Sequence, residues 1–131
     1  MRLCRIRDSV TARTVTAGIK KYNGVVVAPQ RILARPHFTI ESGPYTAGWI
    51  GFEGRGRGVY ELVHLSIKPK FRHLGLAQSA TKQTIALAKG AGGRYAYTRI
   101  NHKNRPSICL ARKLGFRQTH RGKTCIFGRP I

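Results

Sequence analysis

The sequence predicts an α/β fold, and three observations carry that prediction. The first lies between residues 60 and 90. There an apolar, branched run, Tyr60-Glu61-Leu62-Val63-His64-Leu65-Ser66-Ile67, is cut by Lys68-Pro69-Lys70. It passes through the basic turn Arg72-His73-Leu74-Gly75-Leu76-Ala77 into a stretch reaching Lys89 without glycine or proline. Proline cannot donate to a ladder and restricts the residue before it, so the run reads as a strand and the uninterrupted stretch as a helix. The second is a hairpin pattern, with β-rich residues 37–41 and 45–52 flanking Ser42-Gly43-Pro44. The third is a helix opened by Pro106 and closed by Gly115, ahead of an apolar tail.

Taken in order, residues 2–7 read as a first strand, with Leu3, Arg5 and Arg7 on one face and Cys4 and Ile6 on the other. Asp8 or Ser9 caps a helix to about Lys21, weakened by its threonines and Gly18. Asn23-Gly24 is a turn signal; Val25-Val26-Val27 suits a strand, and residues 29–34 a short helix opened by proline. After the hairpin, Gly54-Arg55-Gly56-Arg57-Gly58 is too short for an RNA-binding repeat and reads as a turn into the central strand, residues 59–67. In the following helix Ala77, Ala80, Thr84, Leu87 and Ala88 fall near one face, and Gly90 stops it. Residues 94–100 form the next strand. Ser107, Leu110, Ala111 and Leu114 share a face of the second helix, and Thr124-Cys125-Ile126-Phe127 supplies a last strand.

A chain of 131 residues with 41% hydrophobic content reads as one globular domain, 1–131. No apolar run approaches the roughly 18 residues that would span a membrane, and the arginine-rich N-terminus lacks the apolar stretch of a signal peptide. Cys4, Cys109 and Cys125 are widely spaced, which suits reduced thiols in a cytoplasmic protein and gives no metal site. Charge is the unusual property. The chain carries 25 lysines and arginines against Asp8, Glu41, Glu53 and Glu61, a formal net charge of +21. Such a field gathers polyanions, an acidic protein surface or a nucleic-acid backbone, and repels small cations.

A strand, a glycine turn and a helix aim free backbone N–H groups and the positive helix end at one point, which suits an anion. The spacing Arg72-x-x-Gly75-x-Ala77 resembles the pyrophosphate-binding signature of the GCN5-related N-acetyltransferase (GNAT) superfamily, Gln/Arg-x-x-Gly-x-Gly/Ala. Downstream, Asn104-x-x-Ser107-x-x-Leu110-x-x-x-Leu114-Gly115-Phe116 resembles the family's second signature, in the right order with a strand-like run between. The resemblance spans about residues 3–127. It implies a mixed, mostly antiparallel twisted sheet whose central parallel strands splay apart, with flanking helices and acetyl-CoA as co-substrate in the splay.

Carried onto this sequence, the resemblance implies that the pantetheine arm pairs with Leu65, Ser66 and Ile67. It places pyrophosphate in the turn Arg72, His73, Leu74, Gly75, Leu76 and Ala77, with Gln78 and Ser79 at the helix start. Lys68 and Lys70 stand near the nucleotide phosphates, and Asn104 and Ser107, with Asn101 as substitute, near the cofactor arm. Asn104 also suits a helix cap. The reaction it implies is attack of an amine on the thioester. A backbone N–H near Leu65 would then meet the charge developing on oxygen, and Glu61, eleven residues before Arg72, would act as general base. Burial in an apolar strand would raise that carboxyl toward a working range. His64 is the alternative base, though strand alternation puts it on the opposite face from Glu61. Where the family often has a tyrosine as general acid the chain has Ala111, leaving unassisted loss of thiolate, another donor such as Tyr97 or Cys109, or no catalysis.

The reading is therefore an N-acetyltransferase acting on an amine of an acidic protein, a nucleoprotein or RNA. The alternatives are a nucleic-acid-binding module without turnover and a nucleic-acid-modifying acyltransferase on the same fold.

Overall fold

A computed structural model describes residues 1–131. Its elements run β1 (Arg2–Arg5), α1 (Ser9–Asn23), α2 (Pro29–Ala34), β2 (His37–Ser42), β3 (Tyr45–Gly54), β4 (Val59–Ile67), α3 (Leu76–Gly90), β5 (Tyr95–Asn101), α4 (Arg105–Lys113), β6 (Arg117–His120) and β7 (Thr124–Pro130). The strands form one sheet in the order β1-β2-β3-β4-β5-β7-β6. Every pairing is antiparallel except β4 with β5. This is the mixed, mostly antiparallel sheet with a central parallel pair that the resemblance implied.

The sheet is covered on both faces because β3 and β4 alternate between two cores. Trp49 turns to one side, where Ala12, Val15 and Ile19 of α1 and Ile32 of α2 close over it. Phe52 and Leu62 turn to the other, against Ala88 of α3, Ala111 of α4, Leu114, and Phe127 of β7. Gly18, which weakens α1 as a helix, is where α1 rests on the sheet: a Cβ there would lie 2.2 Å from the Trp49 ring. Asp8 caps α1 by accepting from the Thr11 amide at 2.8 Å, and Gly24 closes it in the left-handed conformation.

Two features of β4 position the site. Its parallel pairing with β5 runs only from Val59–Tyr95 to Leu62–Thr98, after which the strands part. Immediately beyond, the register against β3 slips between Gly51–Val63 and Trp49–Ser66, which leaves one extra residue on β4. This is a β-bulge, with His64 in the left-handed region at φ +58°.

Several expectations need correction. Val25–Val27 forms no strand, since it runs between two helices without a strand beside it, and β propensity needs a partner. Val27 instead joins the Trp49 cluster while Val26 is exposed. On α3, Leu87 is exposed and Thr81 takes the expected buried place. Thr81 and Thr84 return their hydroxyls to the carbonyls of Ala77 and Ala80, so both bury without an unpaired polar atom. Strand β6 was not anticipated. Its Arg-Gln-Thr-His is an edge strand with one partner and little burial, so it has no apolar alternation to read.

Candidate active site

The basic turn after β4 leaves its backbone amides free. His73 and Gly75 both have positive φ, +64° and +76°, and Gly75 stands at the N-cap of α3 without a side-chain cap. No backbone amide from His73 through Gln78 donates to a protein acceptor, so consecutive N–H groups face outward at the positive end of a 15-residue helix. The Arg72 Nε donates to the Ile67 carbonyl at 2.9 Å, which folds the side chain across the end of β4. Lys70 lies over the rings of Tyr45 and Phe71, at 5.3 and 5.6 Å from their centroids. Ser79 is exposed on the first turn of α3, and the Leu74 side chain projects into solvent while its amide belongs to the free row.

Between this turn and α4 lies the splay. Leu65, Ser66 and Ile67 have β3 on one side and no strand on the other. The Leu65 carbonyl accepts from Asn23 Nδ2 at 3.1 Å, which ties the end of α1 to the mouth of the cleft. On the far wall Asn104 caps α4, its Oδ1 accepting from the Ser107 amide at 3.3 Å, so the helix-cap reading of this residue holds. Asn101, Asn104, Ser107 and Ala111 line the same cavity as Leu65. That cavity, about 560 Å³, passes through the sheet at the splay, from α3 and α4 on one side to Tyr22, Asn23 and Arg31 on the other. A long, thin ligand entering from the α3–α4 side would meet a second molecule from the α1–α2 side.

On that second side Glu61 is buried, at 7% exposure, but its surroundings are not apolar. Its Oε1 accepts from Arg55 Nη2 at 2.6 Å and from the Tyr97 hydroxyl at 3.2 Å, while Arg99 Nε lies 3.6 Å from Oε2. Directly across the ladder Glu53, 1% exposed, receives a two-pronged bond from Arg31 at 2.5 and 2.7 Å and a third from Arg55 at 3.0 Å. The Arg31 guanidinium, and after it Arg55, hold the Glu53 carboxyl well below the usual range, at about 2, against the opposing effect of burial. The apolar setting expected for Glu61 is thus replaced by an arginine–carboxylate network.

Two further expectations change. Tyr97 spends its hydroxyl on Glu61, on the side away from α4, and neither it nor exposed Cys109 lines the cavity. His64 does not face away from Glu61. The bulge turns its ring to the Glu61 side, where it meets His37 with Nδ1 2.9 Å from His37 Nε2.

Sequence reasoning passed over Asn23, Arg31, His37, Glu53, Arg55 and Arg99. Asn23 looked like a turn residue and Arg55 part of a flexible loop. The one usable signal was scarcity: with four acids in the chain, Glu53 had to be spoken for.

A family model described as acetyltransferase (GNAT) family matches residues 18–116. Among solved structures, the chain is similar to a Bacillus subtilis acetyltransferase in complex with CoA, with a TM-score of 0.84 and 13% identity over 99% of this chain and 98% of that one. It is similar to the ribosomal-protein-S18-alanine N-acetyltransferase of Escherichia coli, with a TM-score of 0.82 and 12% identity over 99% and 93%. A third is yncA of Salmonella typhimurium with its cofactor acetyl-CoA, with a TM-score of 0.77 and 17% identity over 99% and 94%. No curated protein matches the chain by sequence.

Proposed function

Because the chain belongs to the GNAT acetyltransferase family, we propose that it is an N-acetyltransferase that uses acetyl-CoA to acetylate an amine on a protein or nucleoprotein. The observation that carries this is the row of unpartnered amides from His73 through Gln78 beside Arg72. Phosphate oxygens are the acceptors such a row fits, and the absence of a side chain at Gly75 keeps the approach open. Leu65, Ser66 and Ile67 offer a stretch of β4 with no strand on its β5 side to an amide-bearing arm, and Asn104 and Ser107 line its opposite wall. Bound there, acetyl-CoA supplies an activated acetyl group as a thioester. The chain's own part is to orient that group in the splay, to donate a backbone N–H near Leu65 to its oxygen, and to admit the amine from the α1–α2 side.

The acceptor follows from charge. Only Arg31, Arg55 and Arg99 of the 25 basic side chains pair with a carboxylate. Asp8 is used as a helix cap and Glu41 accepts from Thr46, so the surface has almost no negative counterpart. An acidic protein or a nucleoprotein approaches such a surface favourably. One similar structure, that from Escherichia coli, is described as acting on a ribosomal protein. The same surface favours a second reading, a nucleic-acid-binding module without turnover.

Calorimetric titration with acetyl-CoA separates the two, with ATP at equal concentration as control for loose polyphosphate binding. Saturable binding that prefers acetyl-CoA and disappears in an Arg72→Ala/Gly75→Glu variant supports the enzyme. Equal, weak binding of both ligands, unchanged in the variant, leaves the binding module.

A further inference from the structure

His37 and His64 form a directed pair whose tautomers follow from their partners. His37 is fully buried, and its Nδ1 lies 3.1 Å from the Arg35 carbonyl, which can only accept; Nδ1 therefore carries the proton. His37 Nε2 is then a bare acceptor, and His64 Nδ1, 2.9 Å away, must be its donor. This places the single proton of neutral His64 on Nδ1 and leaves its Nε2 as a lone pair. That nitrogen has no protein partner and is not among the buried unpaired atoms, and His64 lines the cavity. The bulge sets this lone pair two residues past Leu62, where β4 and β5 part, on the side from which the acceptor enters.

Resting on the acetyltransferase reading, we propose that His64 is the catalytic base that takes the proton of the acceptor amine, with His37 as its positioning residue. Glu61, the candidate from sequence, already accepts from Arg55 and Tyr97 through Oε1 and has Arg99 beside Oε2. The amine enters in its neutral form, having lost its extra proton to solvent. As the C–N bond forms and the C–S bond breaks, His64 Nε2 takes up one N–H proton, CoA leaves as a thiolate that is protonated from solvent, and His64 returns its proton to solvent through the open cleft. The positive charge on His64 is shared with His37 through the Nδ1–Nε2 bond.

Burial, and after it His37 and Arg31, push the His64 imidazole down to about 4, with Glu53 opposing. Burial likewise lowers His37, which also faces Arg5, Arg31 and Glu53. Glu61, Arg55 and Arg99 line the same cavity. The imidazole is therefore neutral and able to accept at neutral pH. A base this weak accepts the proton only once attack is under way, when bond formation has lowered the affinity of the nitrogen for it. Gly51 belongs to this device: a Cβ there would lie 2.5 Å from the His37 ring, so its absence leaves room for the pair.

Imidazole nitrogen NMR on the protein, with and without CoA, reads the tautomers directly. The expected result at pH 7 is a neutral His64 with a protonated Nδ1 and a bare Nε2. Turnover is read as thiol release from acetyl-CoA with an acidic peptide bearing a free α-amine as the acceptor, in the wild type and in His64→Asn. Asparagine tolerates the left-handed backbone and can still donate to His37, but it cannot take a proton. The variant should bind acetyl-CoA unchanged and turn over about 100-fold more slowly. A proton found on His64 Nε2, or a variant within twofold of wild type, overturns the role of His64 alone. Failure of the wild type to bind acetyl-CoA overturns the acetyltransferase reading and this role with it.

Discussion

Glu53 and Glu61 stand directly opposite each other on β3 and β4, and a single Arg55 Nη2 bridges them at 3.0 and 2.6 Å. Like charges facing each other across a ladder repel. Here Arg31, Arg55 and Arg99 reverse that, and the result is a paired floor under the α1–α2 side of the splay. Half of the chain's acids are placed in this one network.

Removing one charge from it leaves a partner stranded. Glu53→Gln should lower stability by about 2–3 kcal/mol, since the lost bonds are to charged groups at a buried oxygen. The corresponding cost in an Arg31→Met background should be much smaller, because the stranded partner is gone. Urea unfolding of the four proteins in a double-mutant cycle measures this coupling.

Stability should fall in two steps as pH drops. His64 protonates near 4 in the folded protein and near its ordinary value of 6.5 when unfolded. Between those values the unfolded chain binds the proton first, so the stabilisation present above pH 6.5 is lost as pH falls toward 4. Glu53, held near 2 against an ordinary 4.5, adds a second loss below pH 4.5. Urea midpoints from pH 8 to 3 should show both, and His64→Asn should flatten the upper step.

Gly18→Ala is a test of packing against propensity. Alanine gains about 1 kcal/mol in a helix interior. Its Cβ would nevertheless press on Trp49, the large buried side chain beneath α1. Overpacking should win by about 1–2 kcal/mol, visible as a lower melting temperature and altered tryptophan emission. A more stable variant would mean that α1 lifts freely from the sheet.

Lys103, Arg105 and Lys123 are exposed beside the cavity mouth, where the His102 amide bonds the Lys123 carbonyl at 2.9 Å and joins the loop before α4 to the β6–β7 turn. Binding of single-stranded RNA should weaken steeply with salt. Changing these three residues to glutamine should reduce the slope of log K against log salt by about 2, at roughly 0.7 per phosphate contact. An unchanged slope would move the polyanion elsewhere on the surface.

Much of the fold was legible because its signals are local. Proline after β4, the uninterrupted α3, Asp8 before α1 and Pro106 opening α4 each act within a few residues, and each element formed where those signals put it. The turn from Arg72 to Ala77 was equally local, since left-handed backbone at His73 and Gly75 is what turns its amides outward. What could not be read depended on neighbours distant in sequence. Val25–Val27 had strand residues but no strand to join, and β6 had a strand to join but no strand-like residues.

The sequence by itself determined the order of elements, the glycine turn with its free amides and the cationic surface, because capping, turn chemistry and net charge need no tertiary partner. Only the tertiary structure decided what the site does with its titratable groups. Glu61 was visible as a buried carboxylate, but its arginine and tyrosine partners come from another strand and from a loop that looked flexible. His64 was assigned to the wrong face because alternation assumes an unbroken ladder. One extra residue between Val63 and Ser66 reverses that assignment, and a bulge is a property of the pairing between two strands rather than of either one.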